Sequence, residues 1–131
     1  MTRHDVPPRV LAFMAEHITS LDHLQLLVAV IQSGDRWWDA SSAARELGTT
    51  VGSARRALDH LAAHNLLDIR ITADVRYQFR PGTQELYDAA MEFADQYRTR
   101  PLPLLELVSG TARRSIRDFA DAFRIRRDDD S

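Results

Sequence analysis

The stretch AARELGTTVGSARRALDHLAAHNLL, residues 43–67, decides the fold. Ala43, Ala44 and Leu47 predict one short apolar helix face. Gly48 suits the sharp turn that follows, because it lacks the Cβ that disfavours positive φ. Thr50 is placed to cap a second helix, its hydroxyl accepting a first-turn N–H that has no intrahelical partner. Ala54, Leu58 and Leu61 recur at spacings of four and three, which predicts one buried side of a helix over residues 51–64. Asn65 stands at the exit, and asparagine is the commonest non-glycine residue in a left-handed C-terminal position. At about 100° per residue, Gly52, Ser53, Arg56 and His60 fall on the opposite side, with Arg55 on its flank. A short apolar-backed helix whose outer face begins small and then carries arginine suits insertion into a major groove.

Downstream, the period changes from helical to two. Leu67, Ile69 and Ile71 alternate with Asp68, Arg70 and Thr72; past Ala73-Asp74, Val75, Tyr77 and Phe79 alternate with Arg76, Gln78 and Arg80. This predicts a hairpin over residues 67–80 with one apolar and one polar face. Upstream, Asp39 caps a short helix, Ala40 to Leu47. Arg36-Trp37-Trp38 is predicted as a short strand pairing with the hairpin. Adjacent strand residues point to opposite faces, so one tryptophan belongs to the core; the other covers a sheet edge or lies at a subunit interface.

This stretch resembles the helix-turn-helix of bacterial winged-helix regulators, the MarR-like group among them. The resembling residues are Ala44, Leu47-Gly48, Thr50, Ala54, Arg56, Leu58, Leu61 and Leu66-Leu67, aligned without a gap. Asn65 replaces the family's usual glycine. Gly52 is a second departure, since glycine inside a helix costs roughly 0.5–1 kcal/mol relative to alanine. The resemblance implies a mainly α fold with a small β-hairpin wing, a winged helix-turn-helix with extra N- and C-terminal helices. It also implies terminal helices that make a homodimer, presenting two recognition helices to a two-fold site in double-stranded DNA. The overall layout, with the closing segment FADAFRIRR at 119–127, is similar to that of small uncharacterised bacterial winged-helix proteins.

The chain outside that core reads as helices. Pro7-Pro8 precede Val10, Leu11, Phe13, Met14 and Ile18, predicting a helix from Pro8 to His17, because proline is well placed in a first turn. Thr19 or Ser20 caps the next, through about Ser33, with Leu21, Leu24, Leu27, Val28 and Ile31 inward and Gly34-Asp35 ending it. Pro81-Gly82-Thr83 opens a long helix to about Tyr97, with Leu86, Ala89, Ala90, Phe93 and Tyr97 on one face. Arg98 to Pro103 interrupts it. Leu104, Leu105, Leu107 and Val108 begin another helical stretch, broken or kinked at Ser109-Gly110. Ile116, Phe119, Ala122 and Phe123 predict a last amphipathic helix before the acidic tail Asp128-Asp129-Asp130-Ser131. The 131 residues read as a single winged-helix domain: an N-terminal helix at 1–18, the winged core at 19–81, and C-terminal helices at 82–131.

Composition narrows the function. A chain of this size buries roughly two-thirds of its unfolded surface, and 44% apolar content is ordinary for a globular protein. No apolar run approaches the ~18 residues of a membrane helix, and no signal core opens the chain. With no cysteine, disulfides, iron–sulfur clusters and thiolate zinc sites are excluded, and a cytoplasmic location is expected. The net charge is −2 and the pI about 6.2, acidic for a nucleic-acid binder. All 17 basic residues are arginine, as a GC-rich bacterial genome favours. Residues 34–81 carry seven arginines against six acids, +1, whereas 1–33 and 82–131 come to −1 and −2. DNA affinity must therefore come from placement of charge rather than its amount.

For a duplex, Thr50 and Ser53 are expected to bond phosphate, with Gly52 permitting close approach. Arg55 and Arg56 would reach phosphate or a guanine edge, and Arg70 and Arg76 would touch backbone from the wing. Asp59, Asp68 and Asp74 nearby oppose this through repulsion of phosphate. His60 and His64 have two-histidine metal spacing but lack a third ligand or an HExxH glutamate, so they are read as exposed surface histidines. His17 and His23 are read as helix-end residues. No nucleophile elbow or phosphate loop is present, so no enzyme activity, cofactor or metal is expected. Arg113-Arg114, Arg117 and the arginines of 124–127, mixed with Asp118 and Asp121, read as a salt-bridged surface. The lead expectation is a DNA-binding transcriptional regulator. The alternative is a winged-helix adaptor that grips a protein partner through Trp37 or Trp38 or the arginine-rich end.

Overall fold

The computed structural model describes residues 6–109. Its elements are α1 (Pro8–His17), α2 (Leu21–Gln32), α3 (Ala40–Leu47), α4 (Val51–Ala63), β1 (Leu67–Ile71), β2 (Val75–Phe79), α5 (Gln84–Thr99) and α6 (Pro101–Ser109). The predicted last helix, the arginine cluster beyond it and the acidic tail lie outside the described residues.

Local chemistry sets the boundaries. Ser20, Asp39, Thr50 and Thr83 each cap a helix by accepting the backbone N–H three residues on. At Asp39 the cap is reciprocal: Ser42 N–H donates to the carboxylate at 2.7 Å, and Asp39 N–H donates to Ser42 Oγ at 3.1 Å. The Ser42 backbone N–H, with the Ser42 hydroxyl second, holds the Asp39 carboxyl below its ordinary range. Gly48 ends α3 at φ +68°, and Asn65 takes the same left-handed φ after α4. Both turns match the sequence expectation.

The core is organised on α2, which packs against α3, α4, α5, α6 and β2. Leu24, Leu26, Leu27, Val28 and Val30 are buried along it. Leu21 and Ile31, predicted inward, are only half-buried but still pack against the core. α1 lies on α5, where the Phe13 and Phe93 rings meet at 5.4 Å. Arg9 pairs with Glu92 across the same contact. Among the described residues no helix is long and apolar enough to cross a membrane.

The two strands pair antiparallel, with Leu67 opposite Phe79, Ile69 opposite Tyr77 and Ile71 opposite Val75. The predicted third strand at Arg36-Trp37-Trp38 reduces to one bridge. Trp38 and Tyr77 exchange backbone hydrogen bonds of 2.7 Å each way, after which Asp39 leaves to cap α3. Trp38 is the core tryptophan, with its indole N–H donating to Ser33 Oγ and the Arg36 guanidinium over its ring. Trp37 is half-buried and carries Arg70 on its face at 4.5 Å.

Two further expectations need correction. The apolar hairpin face is buried only near its base: Leu67 and Tyr77 are covered, whereas Ile69 and Ile71 are 42% and 76% exposed. Gln78, on the nominally polar face, is buried and donates to the Asp35 carbonyl at 2.6 Å. The hairpin therefore projects beyond the helices that would cover it. The interruption after Tyr97 is also shorter than predicted, because α5 runs to Thr99 and α6 starts at Pro101, leaving Arg100 alone between them. Proline at the first position of a helix loses no intrahelical bond, so Pro101 starts α6 rather than lengthening the break.

Tyr77 ties the hairpin to α4 as well as to Trp38. Its hydroxyl donates to Asp59 Oδ1 at 2.5 Å. Burial first, then the Asp59 carboxylate, pushes the phenol up to about 12. An unfolded tyrosine ionises near 10, so the unfolded state loses its proton first and stability falls as pH rises through that interval. Tyr77→Phe should lower the urea unfolding free energy by about 0.5–1.5 kcal/mol, the net worth of a hydrogen bond whose carboxylate acceptor is open to water. It should also flatten the alkaline loss of stability; a variant with unchanged urea midpoint would show that this bond holds nothing.

Candidate nucleic-acid interface

The outer surface of α4 begins with small groups and continues with cations. Thr50 is exposed while its Oγ1 accepts Ser53 N–H at 3.1 Å, so its own hydroxyl proton is the group left to donate outward. Gly52 is exposed, and a Cβ there would meet only Arg56 Nη1, at 3.7 Å. Arg56 donates through Nη2 to Ser53 Oγ at 3.1 Å, which folds its guanidinium back over the first turn. Arg55 is exposed on the flank and lines a cleft of about 300 Å³ with Asp39, Asp74 and Tyr77.

Among the described residues, neither Arg55 nor Arg56 makes an ion pair. Asp59 stands four residues after Arg55, a spacing at which helical charges can pair. Its Oδ1 accepts the Tyr77 hydroxyl, while the carboxylate keeps its charge. Arg45, exposed in the last turn of α3, is a further cation without an ion pair among the described residues. Sequence reasoning passed over it, although its place in the first helix of the helix-turn-helix was the available signal.

The wing arginines are differently placed. Arg70 and Arg76 stand directly opposite each other in the hairpin register, a like-charge pairing that is unfavourable by itself. Arg76 Nε donates to Asp74 Oδ1 at 3.3 Å, and Arg70 lies over Trp37. Arg80, at the hairpin base, approaches Asp68 at 3.8 Å. The structure thus groups Thr50, Gly52, Ser53, Arg55 and Arg56 on α4, and leaves Arg70 and Arg76 on the hairpin with local partners.

The histidines differ most from expectation. His60 is not on the outer face of α4: its Nε2 donates to the His17 carbonyl at 2.7 Å, and its ring stacks on His23 at 3.7 Å. His64 is half-buried rather than exposed, with its Nδ1 2.8 Å from His17 Nδ1. His17 is buried at the end of α1. Among the described residues no three histidine or carboxylate side chains are arranged to hold a metal ion.

No family model matches the chain, and no curated protein matches it by sequence. Solved structures do match. One is reduced HlyU from Vibrio cholerae, with TM-score 0.51 and 13% identity, covering 70% of this chain and 88% of its own. A possible transcriptional regulator from Methanosarcina mazei matches with TM-score 0.51 and 13% identity over 77% of this chain and 87% of its own. RV1404 from Mycobacterium tuberculosis gives 0.51 and 16% over 87% and 80%. The chain has the winged-helix fold. In winged-helix terms α3 and α4 are the helix-turn-helix and the β1–β2 hairpin is the wing, as the sequence resemblance implied. At these identities the likeness speaks for architecture; the job done by the face of α4 is argued from its side chains.

Because a Cβ at Gly52 would make only an ordinary contact with Arg56 Nη1, Gly52→Ala should stabilise the winged helix by about 0.5–1 kcal/mol, the cost of glycine in a helix. A higher thermal midpoint checks it; a lower one would mean that the first turn of α4 has no room for a methyl group.

Proposed function

We propose that this winged-helix protein is a DNA-binding transcriptional regulator, acting as a homodimer in the bacterial cytoplasm. In this reading α4 enters the major groove while the wing rests on the backbone. The observation that carries it is the pair Arg55 and Arg56, exposed beside Gly52 and Ser53 with no carboxylate partner among the described residues. A guanidinium held only by a serine hydroxyl exchanges that bond readily for phosphate or for the paired acceptors of guanine. Gly52 lets a phosphate backbone approach closely, and the free N–H groups of the first turn favour an anion there. Arg70 and Arg76 would contribute less, since a phosphate must first displace Trp37 or Asp74. Self-association is supported by Leu11, Met91 and Leu102, apolar side chains exposed outside the winged core.

The adaptor reading keeps one supporting observation. Ile69 and Ile71 are exposed on the wing. Trp38, buried in the core, is not available to a partner; Trp37 is.

Salt separates the two readings. Duplex binding should weaken with a log–log slope of about −0.9 per neutralised phosphate. Replacing both arginines, Arg55→Ala with Arg56→Ala, should reduce that slope by about two and cost about 1–3 kcal/mol for each side chain that reaches a base. Arg98→Ala, on α5 and paired with Asp95, should change neither. Binding that ignores salt, or is insensitive to loss of both arginines, would favour the adaptor.

A further inference from the structure

Four histidines distant in sequence meet where the end of α1 and the start of α2 touch the last turns of α4. Their rings form a continuous chain: His23 stacks on His60 at 3.7 Å and 7°, His60 lies 4.3 Å from His64, and His64 meets His17 edge-on at 5.0 Å. The hydrogen bonds fix where protons can sit. His60 Nε2 carries one, donated to the His17 carbonyl. His23 Nδ1 accepts Thr19 N–H at 3.1 Å, with Thr19 Oγ1 3.0 Å from the same nitrogen. His17 Nδ1 and His64 Nδ1, 2.8 Å apart, share a single N–H, one ring donating and the other accepting.

We propose that these four rings form a proton-operated latch that holds the C-terminal end of α4 against the α1–α2 junction and opens on acidification. A first proton is tolerated at Nε2 of whichever ring donates across the His17–His64 contact. The second must fill the accepting Nδ1, which sets two N–H groups face to face and two cations within one ring contact of each other.

The charged neighbours do not reverse this. Glu16, Arg9 and Glu85 line the open groove beside His17 and His64. Glu16 Oε1 is 4.0 Å from His17 Nε2 and favours the charged ring, but its side chain is 75% exposed whereas that of His17 is 10% exposed. Solvent screens the carboxylate, and burial prevails: desolvation lowers the affinity of His17 and of His64 for a proton below the ordinary 6.5, with neighbouring histidines adding to the shift. Both rings therefore bind protons more weakly folded than unfolded, and the latch is closed above 6.5 and lost as pH falls below it.

The consequence for duplex binding rests on the reading of α4 given above; the latch itself does not, and its test contains no DNA. Amide hydrogen exchange, corrected for intrinsic rates, reads it at His64, Asn65 and Leu66, whose N–H groups bond back to His60, Ala62 and Leu61. Between about pH 7.5 and about pH 5.5 their protection should fall roughly tenfold or more, while Ala90 and Phe93 in α5 keep theirs. His64→Gln, which can still bond His17 without titrating, should remove most of that fall. In the unsubstituted protein, the NMR titrations of His17 and His64 should be coupled and displaced below those of a free imidazole, a readout that holds even if the variant folds poorly. Protection independent of pH, a loss shared equally by α5, an unchanged loss in His64→Gln, or two independent titrations near the free value would each overturn the latch.

Discussion

Tyr77 is the joint on which the arrangement turns. It is buried, it exchanges both backbone hydrogen bonds with Trp38, and its hydroxyl reaches Asp59 on α4. One residue thus connects the wing, the residue leading into α3, and the outer flank of α4. A two-stranded hairpin is marginal by itself, and this one leaves Ile69 and Ile71 largely uncovered. Its position relative to α4 depends on that base contact. The same bond takes Asp59 Oδ1, and Arg55, four residues earlier on α4, makes no ion pair among the described residues.

Against a net charge of −2, the arginines of α4 are set apart by having no ion pair among the described residues. Carboxylates near α4 are engaged elsewhere: Asp39 by the α3 cap, Asp59 by Tyr77, Asp74 by Arg76 and Asp68 by Arg80. Asp39 and Asp74 nonetheless line the same cleft as Arg55. The opposite end of α4 is chemically different, with His60 and His64 against the end of α1 and Arg9 lining the groove beside His64.

Much of the fold was legible because its boundaries are written in local chemistry. Asp39 and Thr50 announce helix starts, Gly48 and Asn65 announce left-handed exits, and the alternation from Leu67 to Phe79 announces the hairpin. The groups on α4 were legible for the same reason, since Gly52, Ser53 and Arg56 follow from helical periodicity once the cap is fixed. His60 was misread by that same periodicity. Its position on the helix faces away from Leu58 and Leu61, yet the end of α1 arrives there, and contacts between residues 43 and 47 apart leave no local trace. The exposure of Ile71 escaped notice likewise: alternation tells which residues share a face, and only the length of the covering helices tells how far that face is buried. Pairings such as Arg76 with Asp74 depend on turn geometry that spacing alone does not specify.

The most direct test of the account is to follow backbone amide resonances of the labelled protein as a short duplex carrying its selected site is added. Shifts concentrated at Val51 to Arg56, with smaller ones at the wing from Arg70 to Arg76, are the expected result. No shifts at all, or shifts confined to α1 and α5 while the start of α4 stays still, would contradict it.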